Sequence, residues 1–84
     1  MKVKELKKLL EKVDDNRIVI LQKDGEGNGY SPLEGISDEE NYKADSTWSG
    51  EVGFEKLTPA LKKAGYCEED VLEGEPACIL FPVN

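Results

Sequence analysis

Histidine does not occur anywhere in this chain of 84 residues. Its absence removes the commonest general base near neutral pH, the usual activator of a Ser or Cys nucleophile, and the commonest transition-metal ligand. Cysteine is scarce, with only Cys67 and Cys78. Two cysteines without histidine do not complete a four-ligand zinc site unless carboxylates join them. Nor do they make a disulfide framework, and the sequence leaves open whether they meet. Apolar runs are short, well under the ~20 residues of a membrane-spanning helix. Residues 1–8 run straight into a charged amphipathic pattern rather than a leader. These absences predict a cytosolic protein with reduced thiols, no membrane association, no metal and no cofactor. They also predict that it is not an enzyme, because a short chain offers little scaffold for a preorganised, water-excluding cleft. A carboxylate-only hydrolase, which needs just two carboxyl groups, is the one catalytic chemistry still conceivable.

Charge is what the chain has in quantity. Charged residues make up 35% of it and the net charge is -7. The distribution is uneven. Residues 1–17 carry six basic and four acidic side chains, whereas residues 24–55 carry nine acidic and one basic. An acidic middle of that kind repels nucleic acid and anionic lipid and attracts basic surfaces. Direct duplex binding is not expected, since affinity for DNA comes largely from Lys and Arg on phosphates.

The length suits one domain spanning residues 1–84, and a homodimer would be one way to add buried area. Residues 3–13 predict a helix, with Val3, Leu6, Leu9, Leu10 and Val13 in one apolar stripe. Residues 17–22 predict a strand. The unbroken run Ile18-Val19-Ile20-Leu21 implies burial on both faces and a central position. Residues 77–81 have the same character, so the two runs are expected as neighbours. Residues 30–37 predict an extended edge segment containing Pro32. Residues 41–44 and 51–54 predict a short hairpin. Thr58-Pro59 predicts the N-cap and first position of a second helix, with Gly65 as its C-cap. Together these predict an α+β fold: a mainly antiparallel sheet of about 3–5 strands, an N-terminal helix on one face and a short second helix. That helix covers one face only, so Tyr30, Tyr42, Trp48, Phe54 or the second helix must cover the other.

Several segments invite a functional reading, each with a plainer one beside it. Asp24-Gly25-Glu26-Gly27-Asn28-Gly29 places oxygen ligands and a glycine as a calcium loop would. However, the twelfth position is Gly35 and the flanks are not helical, so an exposed connecting loop is the plainer reading. The same segment lacks the Lys-Ser/Thr of a phosphate-binding loop. Residues 45–50 hold hydroxyls, a glycine and the single tryptophan. Trp48 could anchor a partner there, and the plainer reading folds it inward over the sheet. The acidic triplets at 38–40 and 68–70 are ordinarily solvated turns. Read functionally, they would mimic the phosphate charge of DNA.

Val3-Lys4-Glu5-Leu6, the run 18–21, and Asp24-Gly-Glu-Gly-Asn-Gly-Tyr-Ser-Pro-Leu33 together resemble a family of small uncharacterised proteins of tailed bacteriophages. Trp48-Ser49-Gly50-Glu51 and Phe81-Pro82 match two further elements of that family, with Phe81 standing where a Trp is expected. The resemblance implies a phage origin and a host-cytoplasm location, and it supplies no activity.

The functional expectation is a non-enzymatic phage accessory protein that binds a host or phage protein through an acidic surface, DNA mimicry or inhibition of a host process being one form. Asp24, Glu26, Asn28, Tyr30 and Trp48 are the candidate contacts. The alternative is a protein that binds or sequesters a nucleotide-type small molecule. That reading calls for a pocket holding Lys43, Lys56, Lys62 or Lys63 beside Tyr or Trp. A domain with no specific site is the third possibility.

Overall fold

The computed structural model describes residues 1–23 and 29–83. Its elements are helix α1 (Val3–Leu10), strands β1 (Ile18–Leu21), β2 (Leu33–Ser37), β3 (Glu40–Ala44) and β4 (Gly50–Phe54), helix α2 (Pro59–Lys63), a 3-10 turn (Glu68–Asp70) and strand β5 (Glu75–Pro82). This is the small α+β architecture expected: two helices with a five-stranded sheet in the order β1-β5-β3-β4, and β2 also on β5.

β5 organises the sheet because it is long and apolar enough to pair along both edges. β1 runs parallel to it, with Ile18 opposite Ala77 and Leu21 opposite Leu80. β2 runs antiparallel on the other side, with Ser37 opposite Ile79. β3 continues along that side, with Asn41 opposite Pro76. Four steps from Ser37 to Asn41 face three steps from Ile79 to Pro76, so one extra residue sits between β2 and β3. Such a bulge bends a strand and increases its twist. β3 and β4 then form the predicted hairpin, with Glu40 opposite Phe54 and Ala44 opposite Gly50.

The fully buried core is small and lies on β5: Ala77, Cys78 and Ile79. Arg17 ties the sheet together beside it. Its guanidinium donates to the Ala77 carbonyl at 2.8 Å and the Glu40 carbonyl at 3.4 Å, and pairs with the Glu55 carboxylate. One planar fork therefore joins the start of β1 to β5, β3 and the end of β4. On the far side, Phe54 meets Tyr66 edge-to-face at 4.8 Å. Asn41 Nδ2 donates to the Leu72 carbonyl at 2.9 Å, fastening the segment that returns to β5.

Three expectations are corrected. β1 is not a central strand: it stands at the end of the sheet order, with Val19 64% and Leu21 67% exposed. A four-residue apolar run reads as two-sided burial, but among the described residues no strand pairs with its outer edge. The first helix ends at Leu10 rather than 13, and its stripe stays largely open, with Val3, Leu9 and Leu10 exposed. Trp48 does not fold into the core; it is 74% exposed. The second helix forms as expected. Thr58 Oγ1 accepts from Leu61 N–H at 3.2 Å, and Gly65 takes the left-handed φ of 101° that ends it.

Candidate functional site

Lys23 follows β1, level with the C-terminal end of β5, whereas Trp48 tips a hairpin anchored at the other end of β5. At about 3.3 Å per residue, a flat sheet would hold them more than roughly 20 Å apart. Instead Lys23 Nζ donates to the Trp48 carbonyl at 2.7 Å. The hairpin therefore folds back over the sheet from the extra residue between β2 and β3. A cavity of about 670 Å³ lies beneath it.

Registered partners share a face of a sheet. Ile20 and Ser37 are both opposite Ile79, and Tyr42 is opposite Val52. These five residues and Phe81 line the cavity. So do five consecutive residues of the first strand and its extension, Val19 through Lys23. Successive side chains on a strand point to opposite faces. One row of side chains cannot supply all five, so the cavity also meets the strand's backbone. Gln22 N–H donates to the Leu80 carbonyl. By alternation, the N–H and C=O of Val19 and Leu21 face away from β5, along the strand's outer edge.

The loop at the hairpin tip is held by its own side chains. Ser46 Oγ accepts from the backbone N–H of Trp48 at 3.3 Å and of Ser49 at 3.1 Å. Ser49 Oγ donates to Asp45 Oδ1 at 2.6 Å. These contacts satisfy the loop locally, as Asx and Ser/Thr turns do, and leave the indole of Trp48 on the cavity rim. Gly50 is needed beside it. A Cβ there would stand 2.5 Å from the Lys43 carbonyl oxygen and 2.6 Å from the Tyr42 ring. The missing side chain is what lets the Tyr42 ring lie across β4.

Two charged side chains among the described residues line the cavity, one of each sign. Glu40 lies in the cavity wall, its Oε2 accepting from Ser37 Oγ at 2.6 Å, and Lys23 is the basic residue lining it. Over residues 29–55 there are seven carboxylates against one lysine. Cys78, in the core behind, has its thiol pKa raised by burial and by the Asp38 carboxylate, with Arg17 opposing. It is held as a neutral packing group. Both cysteines are free, Cys67 exposed and Cys78 buried.

Among the candidate contacts, Asp24, Glu26 and Asn28 lie outside the described residues. Tyr30 is fully exposed and away from the cavity, whereas Trp48 is on its rim. None of Lys43, Lys56, Lys62 and Lys63 lines it; Lys23 does. Sequence reasoning missed Lys23, Val52, Ile79 and Phe81 as site residues, since only long-range register brings them together. The nearest local signal was Gly50, two residues after the lone Trp. A smaller recess of about 300 Å³ lies between β4 and the 3-10 turn. Among the described residues no group of three or more Cys, Asp or Glu is placed to hold a metal ion, and no helix is long and apolar enough to cross a membrane. No family model, curated protein or solved structure matches the chain.

Proposed function

We propose that this protein is a non-enzymatic binding module whose partner is another protein, held at the cavity beneath the β3–β4 hairpin. The observation that carries this reading is the exposed Trp48 on the rim of an apolar cavity, within a strongly acidic segment. An exposed aromatic beside an apolar recess is the composition of an interface anchor. The chain's net charge of -7 would steer a basic partner and add to the encounter rate more than to the lifetime of the complex. A phage origin, which the sequence resemblance implies, would make a bacterial cytoplasm the place to seek that partner.

The test is capture from bacterial lysate by the wild-type protein and by Trp48→Ala, at low and moderate salt. A partner should be retained best at low salt and largely lost from Trp48→Ala. Equal retention by the two proteins, or no retained partner at either salt, would reject the reading.

A nucleotide-type ligand is the second reading, favoured by Lys23 standing beside Tyr42 and Trp48 in a cavity of small-molecule size. The Glu40 carboxylate in the cavity wall and the net charge of -7 weigh against it, because they repel phosphate. A thermal-shift screen with nucleotides separates the two, since a specific ligand raises apparent stability by mass action.

A further inference from the structure

We infer that the occupant of this cavity is an extended, basic segment of the partner protein, added as a strand to the free edge of β1. The inference rests on the protein-binding reading above and specifies its partner. Three observations converge on it. First, β1 is a terminal strand whose residues line the cavity, and on its outer edge Val19 and Leu21 present N–H and C=O groups unused by β5. A row of such groups is a template for another strand. Second, one side of an added strand would face Ile20, Phe81 and the Trp48 rim, so alternate side chains of the segment would enter an apolar cavity while the others stay in water.

Third, charge selects the sequence of that strand. Glu40 lies in the cavity wall, and the whole chain carries -7. A second copy of this chain would bring its own -7 to the same edge, and like-charge juxtaposition opposes association. A segment alternating apolar residues with Lys or Arg meets both the cavity and the charge. Lys23 already spans the opening through its bond to the Trp48 carbonyl. The added strand would lie between β1 and the hairpin tip, and this bond would break or move to admit it.

The probes are synthetic peptides of about six residues, a usual strand length. One alternates Val with Lys and a second alternates Val with Glu. Binding is read by Trp48 fluorescence and by backbone amide hydrogen exchange in the intact protein. The Lys peptide should change the fluorescence and slow exchange at Val19 and Leu21, with the Glu peptide about tenfold weaker or worse. Leu21→Pro removes one outward N–H at an edge position where proline is tolerated, and it should weaken the Lys peptide by a similar factor. If Leu21→Pro fails to fold, the exchange measurement on wild type still decides.

Fluorescence that changes while Val19 and Leu21 exchange as in the free protein would overturn strand addition and leave the protein-binding reading standing. Equal binding of the two peptides would overturn the charge selection. Slow exchange at Val19 and Leu21 without peptide, accompanied by a dimer in sedimentation, would make a second copy the occupant. No response to either peptide would overturn the inference, while capture of a partner that needs Trp48 would still support the broader reading.

Discussion

Among the described residues, Arg17 is the side chain whose polar contacts join the most strands. It is a half-buried guanidinium that touches two backbone carbonyls and one carboxylate on three separate strands or their ends. Hydrogen bonds to charged groups are each worth about 1.5–3 kcal/mol, and losing Arg17 leaves the Ala77 carbonyl and Glu55 without their partner. Arg17→Ala should therefore lower stability by about 2–3 kcal/mol in chemical denaturation. Arg17→Lys should recover only part of that, because an ammonium cannot reproduce the fork. The two thiols are expected to differ in reactivity. Cys67 is exposed and Cys78 is buried with a raised pKa. One equivalent of alkylating agent should react in the native state and a second only after unfolding.

The same shift carries a pH dependence. A thiol pKa raised in the folded state means that folding favours the protonated form. The contribution of Cys78 is fully present below its ordinary value of 9.0 and is lost as pH rises through the higher folded value. Stability should fall above about pH 9 more steeply for wild type than for Cys78→Ala. Equal slopes in denaturation titrations would rule Cys78 out as the cause.

At the level of elements, the hairpin latch is the feature whose removal says most about the site. The Lys23–Trp48 bond is exposed, so its net worth is small, about 0.5–1.5 kcal/mol at most. Lys23→Met should leave global stability nearly unchanged while the amides of residues 45–50 exchange faster. Gly50→Ala should behave differently. A Cβ there meets backbone oxygen and the Tyr42 ring, so the hairpin must shift or the ring must leave the cavity wall. Overpacking of this kind costs about 1–3 kcal/mol.

Much of this element structure was legible in the chain. Thr58-Pro59 and Gly65 bracket α2, the apolar run ending in Phe81 is the central strand, and the 45–49 loop joins the expected hairpin. What escaped was placement. Ile18–Leu21 carries the same β-branched signature whether one or both of its edges are paired, since neighbour count is a property of the whole sheet. The position of Trp48 depends on a bulge near Asp38 that turns the hairpin back over β5, and no local pattern at Trp48 encodes it. The candidate site was accordingly half read: the anchor was named, but not the walls.

For the whole molecule, one question is whether its charge helps or hinders folding. A net charge of -7 on a chain of 84 residues repels itself, and seven of the carboxylates fall within residues 29–55. Salt screens this repulsion, the Debye length falling to about 10 Å at 0.1 M. Salt also weakens attractive pairs, but the Arg17–Glu55 pair is largely shielded from solvent and is reinforced by two carbonyl bonds that ions do not compete away. Repulsion among many exposed groups is therefore screened more than attraction within one half-buried cluster. Raising monovalent salt from about 20 to about 200 mM should raise the thermal midpoint by a few degrees, since about 1 kcal/mol corresponds to roughly 4–8 °C in a domain of this size. The same salt should weaken capture of a basic partner, because it screens the field that steers the encounter. Opposite responses of folding and binding to one variable, measured by calorimetry and by peptide titration, would trace both to the excess negative charge. A midpoint that falls with salt would show instead that attractive pairs, not self-repulsion, dominate its electrostatics.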